Sequence, residues 1–110
     1  MSRGLSDLTL YAKIIYMINW RSPKVKKLAQ AFLSLKTESD TLNFLRDLCT
    51  LDELEELSTR LEIARMLGKG VSYRKIAERT KVSTTTVTRI AYWFEHGEGG
   101  YKNIISKNKR

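Results

Sequence analysis

The sequence predicts an all-α fold of about six helices, with a helix-turn-helix in its C-terminal half. Three observations carry this. Apolar residues recur at steps of three and four through most of the chain. No segment alternates with period two, so no sheet is expected. Ser, Thr or Asp stands ahead of the apolar runs, where a side-chain oxygen can accept the unpaired amides of a first helical turn.

The first run, Leu5, Leu8, Tyr11, Ile15 and Ile18, predicts a helix over Ser6–Trp20. Leu10, Ile14 and Met17 make that helix apolar over much of its circumference, more than one small chain can hide. Ser22 followed by Pro23 is a cap followed by proline at the first helical position, and Val25, Leu28, Phe32 and Leu35 continue the spacing. Asp40 is expected to open a third helix, with Leu42, Phe44, Leu45 and Leu48 apolar, ending near Cys49. Thr50 to Glu53 is a capping box: the hydroxyl accepts the third amide while the glutamate reaches back, and Asp52, Glu53, Glu55 and Glu56 complement the positive helix end. The fourth helix is expected to turn Leu54, Leu57, Leu61, Ala64 and Leu67 inward and to stop at Gly68-Lys69-Gly70, where glycine accepts a left-handed backbone.

Ser72 caps a short helix, Tyr73–Thr80, and Ser83 caps another running to about Glu95, with Lys81 and Val82 between. Helices joined so tightly must cross steeply, and Ile76, Ala77, Val82, Val87 and Ile90 are apolar where that crossing needs them. Thr84, Thr85, Thr88, Arg89 and Tyr92 are left on the outer face of the second helix, with no acid before Glu95. Short threonines let a helix approach a DNA groove closely and can touch thymine methyls, while an arginine binds phosphate or guanine. Lys81 falls where the turn favours glycine, and a non-glycine residue at positive φ there costs about 1 kcal/mol.

The 110 residues suffice for a single domain, and 42% apolar with 29% charged content is that of a globular chain. Charge is distributed in blocks. Residues 1–36 hold seven basic against one acidic side chain, residues 37–67 three against eight, residues 68–96 six against two, and residues 97–110 four against one. Two basic flanks around an acidic middle, at +8 overall, point to a polyanionic partner, nucleic acid ahead of an acidic membrane surface. No apolar run approaches the roughly 18 residues that cross a bilayer, and the lone Cys49 suits a reducing compartment, so a cytoplasmic location is expected.

Catalytic and metal chemistry find little support. His96 stands without a cluster of cysteine or carboxylate partners, so neither a zinc site nor a catalytic base is expected. The serines and threonines lack a base and an orienter, and Gly97, Gly99 and Gly100 carry none of the residues of a phosphate-binding loop. The sequence therefore predicts no enzyme, no cofactor and no metal. Residues from Tyr101 onward read as a helix-poor basic tail, in which Lys102, Lys107, Lys109 and Arg110 can add affinity for phosphates.

D-L-C-T at 47–50, L-x-x-R-x-x-I-A-x-x-L over 57–67, S-Y-R-K-I-A-E at 72–78, S-T-T-T-V-T-R at 83–89 and H-G-E-G-G-Y-K at 96–102 resemble the tryptophan-repressor superfamily, in particular its YerC/YecD-like branch. The resemblance covers about residues 40–102 and lies in the order of the motifs. It implies an intertwined homodimer: first helices of two chains wrap together and hold two helix-turn-helix heads toward successive major grooves. That arrangement would give the over-apolar first helix its cover.

The resemblance also places Arg60 and Arg89 where the family's arginines grip a tryptophan corepressor. Ile90 and Trp93 stand where that pocket has small residues, Asp47 replaces a leucine of its rim, and the turn before Ser72 is one residue shorter. Arg60, Arg89, Ile90 and Trp93 thus mark a vestigial ligand pocket, expected to be filled from within by Trp93 and Ile90, and a small-molecule effector is disfavoured.

The resulting expectation is a sequence-specific DNA-binding transcription regulator, a repressor, acting on double-stranded DNA as a homodimer and needing no membrane or tryptophan. Residues 5–49 would supply dimerisation, 50–96 the DNA-binding head and 97–110 the basic tail. Thr84, Thr85 and Thr88 would meet base edges. Tyr73, Arg74, Lys75 and Arg89 would hold phosphates, with Ser83 and Tyr92 beside them. The alternative is an adaptor that docks on RNA polymerase or another regulator through the acidic helix 51–67.

Overall fold

The computed structural model describes residues 19–108, which contain six α-helices and no strand. These are α1 (Pro23–Leu33), α2 (Glu38–Leu48), α3 (Leu51–Gly68), α4 (Tyr73–Thr80), α5 (Thr84–His96) and α6 (Gly100–Lys107). The all-α expectation holds. The helix expected over Ser6–Trp20 lies outside the described residues except for Asn19 and Trp20, which are not helical.

The chain divides into two compact units, one within residues 1–44 and one within residues 45–110. In the first, Ser22 caps α1 as its sequence implies: its hydroxyl accepts the Val25 amide at 3.3 Å, with Pro23 in the first turn. At the other end the Ser34 hydroxyl donates to the Ala31 carbonyl at 2.7 Å. Phe32 meets Phe44 edge-on, with ring centroids 5.3 Å apart. Neither α1 nor α2 buries a residue, and Leu33 is 85% exposed.

Helix α2 starts two residues before Asp40, the expected opener. The Thr37 hydroxyl accepts the Asp40 amide at 3.0 Å and the Thr37 carbonyl accepts the Thr41 hydroxyl, so threonine caps this end and Asp40 sits in the first turn. Either residue type can cap, and the apolar spacing alone does not choose between them. The helix ends where the Arg46 guanidinium donates to the Cys49 carbonyl at 3.1 Å.

In the second unit, α3 is the scaffold. Its capping box is complete: the Thr50 hydroxyl accepts the Glu53 amide at 3.1 Å and Glu53 accepts the Thr50 amide at 2.8 Å. At the far end the Val71 amide reaches the Met66 carbonyl and the Gly70 amide reaches Leu67, with Gly70 at φ +80. That pair of bonds is a Schellman motif, and Val71 and Met66 supply its apolar contact on the core.

The inward face of α3 differs from the expected leucine stripe. Ile63 and Ala64 are its buried residues, Met66 and Leu67 pack beside them, and Leu57 is 47% exposed. The core is Ile63 from α3, Ile76 from α4, and Val87 and Ile90 from α5, with Ala77, Val82 and Tyr101 against it. All five apolar positions expected at the helix-turn-helix crossing are therefore in or on this core.

The C-terminal segment also departs from expectation. Instead of a helix-poor tail, Gly100–Lys107 forms α6, which packs on α3. It begins after Gly99 at φ +84, without a side-chain cap, so the residue types that usually announce a helix start are missing there.

Candidate nucleic-acid interface

The interface is built on the joint between α4 and α5. The Ser72 hydroxyl accepts the Lys75 amide at 3.2 Å and holds the first turn of α4, on which Tyr73, Arg74 and Lys75 are all exposed. No acidic residue stands in that turn. Cations at the positive end of a helix dipole are unfavourable by about 0.3–1 kcal/mol each, so two of them there make sense against an external anion.

Helix α4 stops at Lys81, held left-handed at φ 62, ψ 32 with its amide on the Ala77 carbonyl. It is the one non-glycine residue with positive φ among those described. Lys81→Gly is expected to raise stability by about 1 kcal/mol, read as a higher denaturant midpoint at unchanged slope.

The Ser83 hydroxyl accepts the Thr86 amide at 3.1 Å and lies 3.1 Å from the Thr86 hydroxyl, which fixes the start of α5. From there the helix sorts its residues sharply. Val87, Ile90 and Ala91 are buried, while Thr84, Thr85, Thr88, Arg89 and Tyr92 are exposed. The Thr88 hydroxyl donates its proton to the Thr84 carbonyl at 2.9 Å, leaving its lone pairs and methyl outward. Tyr92 stands edge-on to Trp93 and 5.0 Å, centroid to centroid, from His96, so the end of the helix carries an exposed aromatic cluster.

Arg60, Arg89, Ile90 and Trp93 meet in one cavity of about 620 Å³, walled also by Glu56, Thr59, Ile63, Val82, Thr86 and Tyr101. Trp93 and Ile90, expected to fill the pocket from within, are among the residues that line this space. Ile90 belongs to the core, and Trp93 is 56% exposed with its ring edge-on to Tyr92. Arg60 pairs with Glu56 at 3.4 Å, one turn away on α3. Glu56, Thr59, Ile63, Val82, Thr86 and Tyr101 join the four residues that the sequence points to. The i,i+4 spacing of Glu56 and Arg60 was a readable signal, whereas Tyr101 reaches the cavity only because α6 is a helix.

Among the described residues no group of three or more His, Cys, Asp or Glu is placed to hold a metal ion, and no helix is long and apolar enough to cross a membrane.

Comparison with known proteins agrees with this architecture. The family model described as Trp repressor protein matches residues 23–109. YerC of Bacillus subtilis (strain 168), described as uncharacterized, is 36% identical over 89 residues, covering 81% of this chain and 86% of that protein. Among solved structures, a TrpR-like protein from Eubacterium eligens ATCC 27750 superposes with a TM-score of 0.76 at 36% identity, over 81% of this chain and 92% of that one. A candidate Trp repressor from Staphylococcus aureus gives 0.75 at 30% identity, over 81% and 89%.

Proposed function

The chain belongs to the Trp repressor family, and from that premise we propose that it is a cytoplasmic, homodimeric, sequence-specific DNA-binding regulator of transcription, a repressor that works without tryptophan as corepressor. Its role is binding and not catalysis. The observation that carries the reading is the sorting of α5: an apolar side locked into the core and a threonine-rich side turned wholly outward, beside the cationic first turn of α4. Thr84, Thr85 and Thr88 meet base edges in the major groove. Tyr73, Arg74, Lys75 and Arg89 hold phosphates, Ser83 fixes the helix start, and Tyr92 lies at the flank.

Dimerisation through residues 5–49 is supported by the bare apolar surface of α1 and α2, where Val25, Leu28, Phe32, Leu33 and Leu42 all remain exposed in the single chain. Two-fold symmetry then asks for a near-palindromic site with half-sites roughly 34 Å apart or a multiple of it.

Independence from tryptophan is supported by two features. The four core residues pack α4 and α5 directly on α3. Glu56 also lines the cavity beside both arginines, so an incoming carboxylate meets a like charge. Adding free tryptophan is expected to leave DNA affinity unchanged; a several-fold change would defeat this part of the proposal.

The experiment for the whole reading is a salt titration of duplex binding. Wild-type affinity should fall steeply as salt rises, and Arg74→Ala should weaken every sequence alike and lower the salt slope by about one. An adaptor acting through the acidic face of α3 would instead bind one protein with little dependence on salt and ignore random duplex.

A further inference from the structure

Helix α6 has no part in the reading surface just described, yet it converges with α5 on a single point of α3. That point is Gly68, the last residue of α3. A Cβ placed there would lie 3.5 Å from Ile105 Cγ2 and 3.8 Å from Phe94 Cζ, so a side chain from α6 and one from α5 reach the same spot from either side of the 97–99 turn. The remaining links follow the same line. Lys102 Nζ lies 3.4 Å from Glu95 Oε1 and 5.5 Å from the centre of the Phe94 ring. Tyr101 packs on the core and walls the cavity beside Arg89.

We propose that α6 is a brace for the C-terminal end of α5, with Ile105 as the positioning residue that holds Phe94 against Gly68. This deepens the DNA-binding reading and rests on it for its functional consequence. An eight-residue helix without a cap does not persist alone in water, so α6 exists only while it is packed. The exposed Lys102–Glu95 pair adds orientation and little strength, which leaves the apolar junction to carry the load. The functional weight comes from geometry. Base-edge contacts fail when a recognition helix shifts by a fraction of an ångström, while phosphate contacts by flexible cations follow the shift. The brace therefore acts on sequence discrimination more than on bulk affinity.

The test uses the full chain and a duplex that the wild-type protein selects from a random library, with a scrambled duplex as control. Ile105→Ala should lower the ratio of selected to scrambled affinity by at least about fivefold at an unchanged salt slope, and should speed hydrogen exchange of the Tyr92–His96 amides. Gly68→Ala, whose added methyl finds ordinary contact distance to both side chains, should slow that exchange and keep the ratio. Unaltered ratio and exchange in Ile105→Ala would overturn the brace. If the wild-type protein selects no duplex, the DNA-binding reading fails by itself, and exchange in the two variants still decides the structural claim. If Ile105→Ala does not fold, the direction of the change in Gly68→Ala decides it.

Discussion

Ile76→Ala is expected to lower stability by about 2–5 kcal/mol, because a fully buried β-branched side chain is removed from a core of four residues that cannot collapse around the gap. Ile76 is the one fully buried residue of α4 and, with the partly buried Ala77 beside it, holds that helix against Ile63, Val87 and Ile90. Set against the roughly 5–15 kcal/mol of ordinary domain stability, the loss is a substantial share of the total. Denaturant unfolding at fixed protein concentration measures it, with the concentration held because any dimer makes the midpoint depend on it. A loss under about 1 kcal/mol would mean that the joint of α4 and α5 does not depend on this wedge.

The second large effect is expected at Thr88. Its hydroxyl proton is committed to the Thr84 carbonyl, so toward DNA the side chain can only accept a hydrogen bond or offer its methyl group. An acceptor there suits the exocyclic amine of adenine or cytosine, and the methyl suits thymine. Thr88→Val keeps the methyl and removes the acceptor, while Thr88→Ser does the reverse. Whichever contact is made, one of the two variants should lose about 1–3 kcal/mol of discrimination at a single base pair, and the other should keep most of it. Selection of preferred duplexes by wild type and both variants reads this directly. Identical preferences in all three would remove Thr88 from base readout.

The parts of the fold that were legible in the sequence are those made by neighbours along the chain. Ser22, Thr50, Ser72 and Ser83 each cap the helix that follows, because a hydroxyl and an amide three residues on meet through local geometry alone. The joint of α4 and α5 was legible for the same reason, and the outward set Thr84, Thr85, Thr88, Arg89 and Tyr92 followed from it by helical periodicity.

What was missed depends on partners distant in sequence. In α3 the spacing of Leu54, Leu57, Leu61, Ala64 and Leu67 suggests one inward stripe, yet the other helices of this unit pack on the side of Ile63 and Ala64, with Leu67 beside them, and leave Leu57 exposed. Periodicity gives the number of faces but not which one the rest of the chain will cover. Helix α6 starts from a left-handed glycine and is held by Tyr101 and Ile105 against distant residues, so local residue types gave no sign of it. The cavity shows the same limit. Arg60 and Arg89 are paired by resemblance to a family, while the stance of the Trp93 ring, edge-on to Tyr92, is one that no spacing determines.

The crowding of threonines at the start of α5 has a cost outside DNA recognition. Thr84, Thr85, Thr86, Val87 and Thr88 are five β-branched residues in succession, each a weak helix former, within a helix of only 13 residues. A synthetic peptide of that segment would be mostly coil, since length and propensity both fall short of what a free helix requires. The shape of the reading surface is thus borrowed from its scaffold, and warming that loosens α3 should erase recognition together with the helical content of α5 and α6.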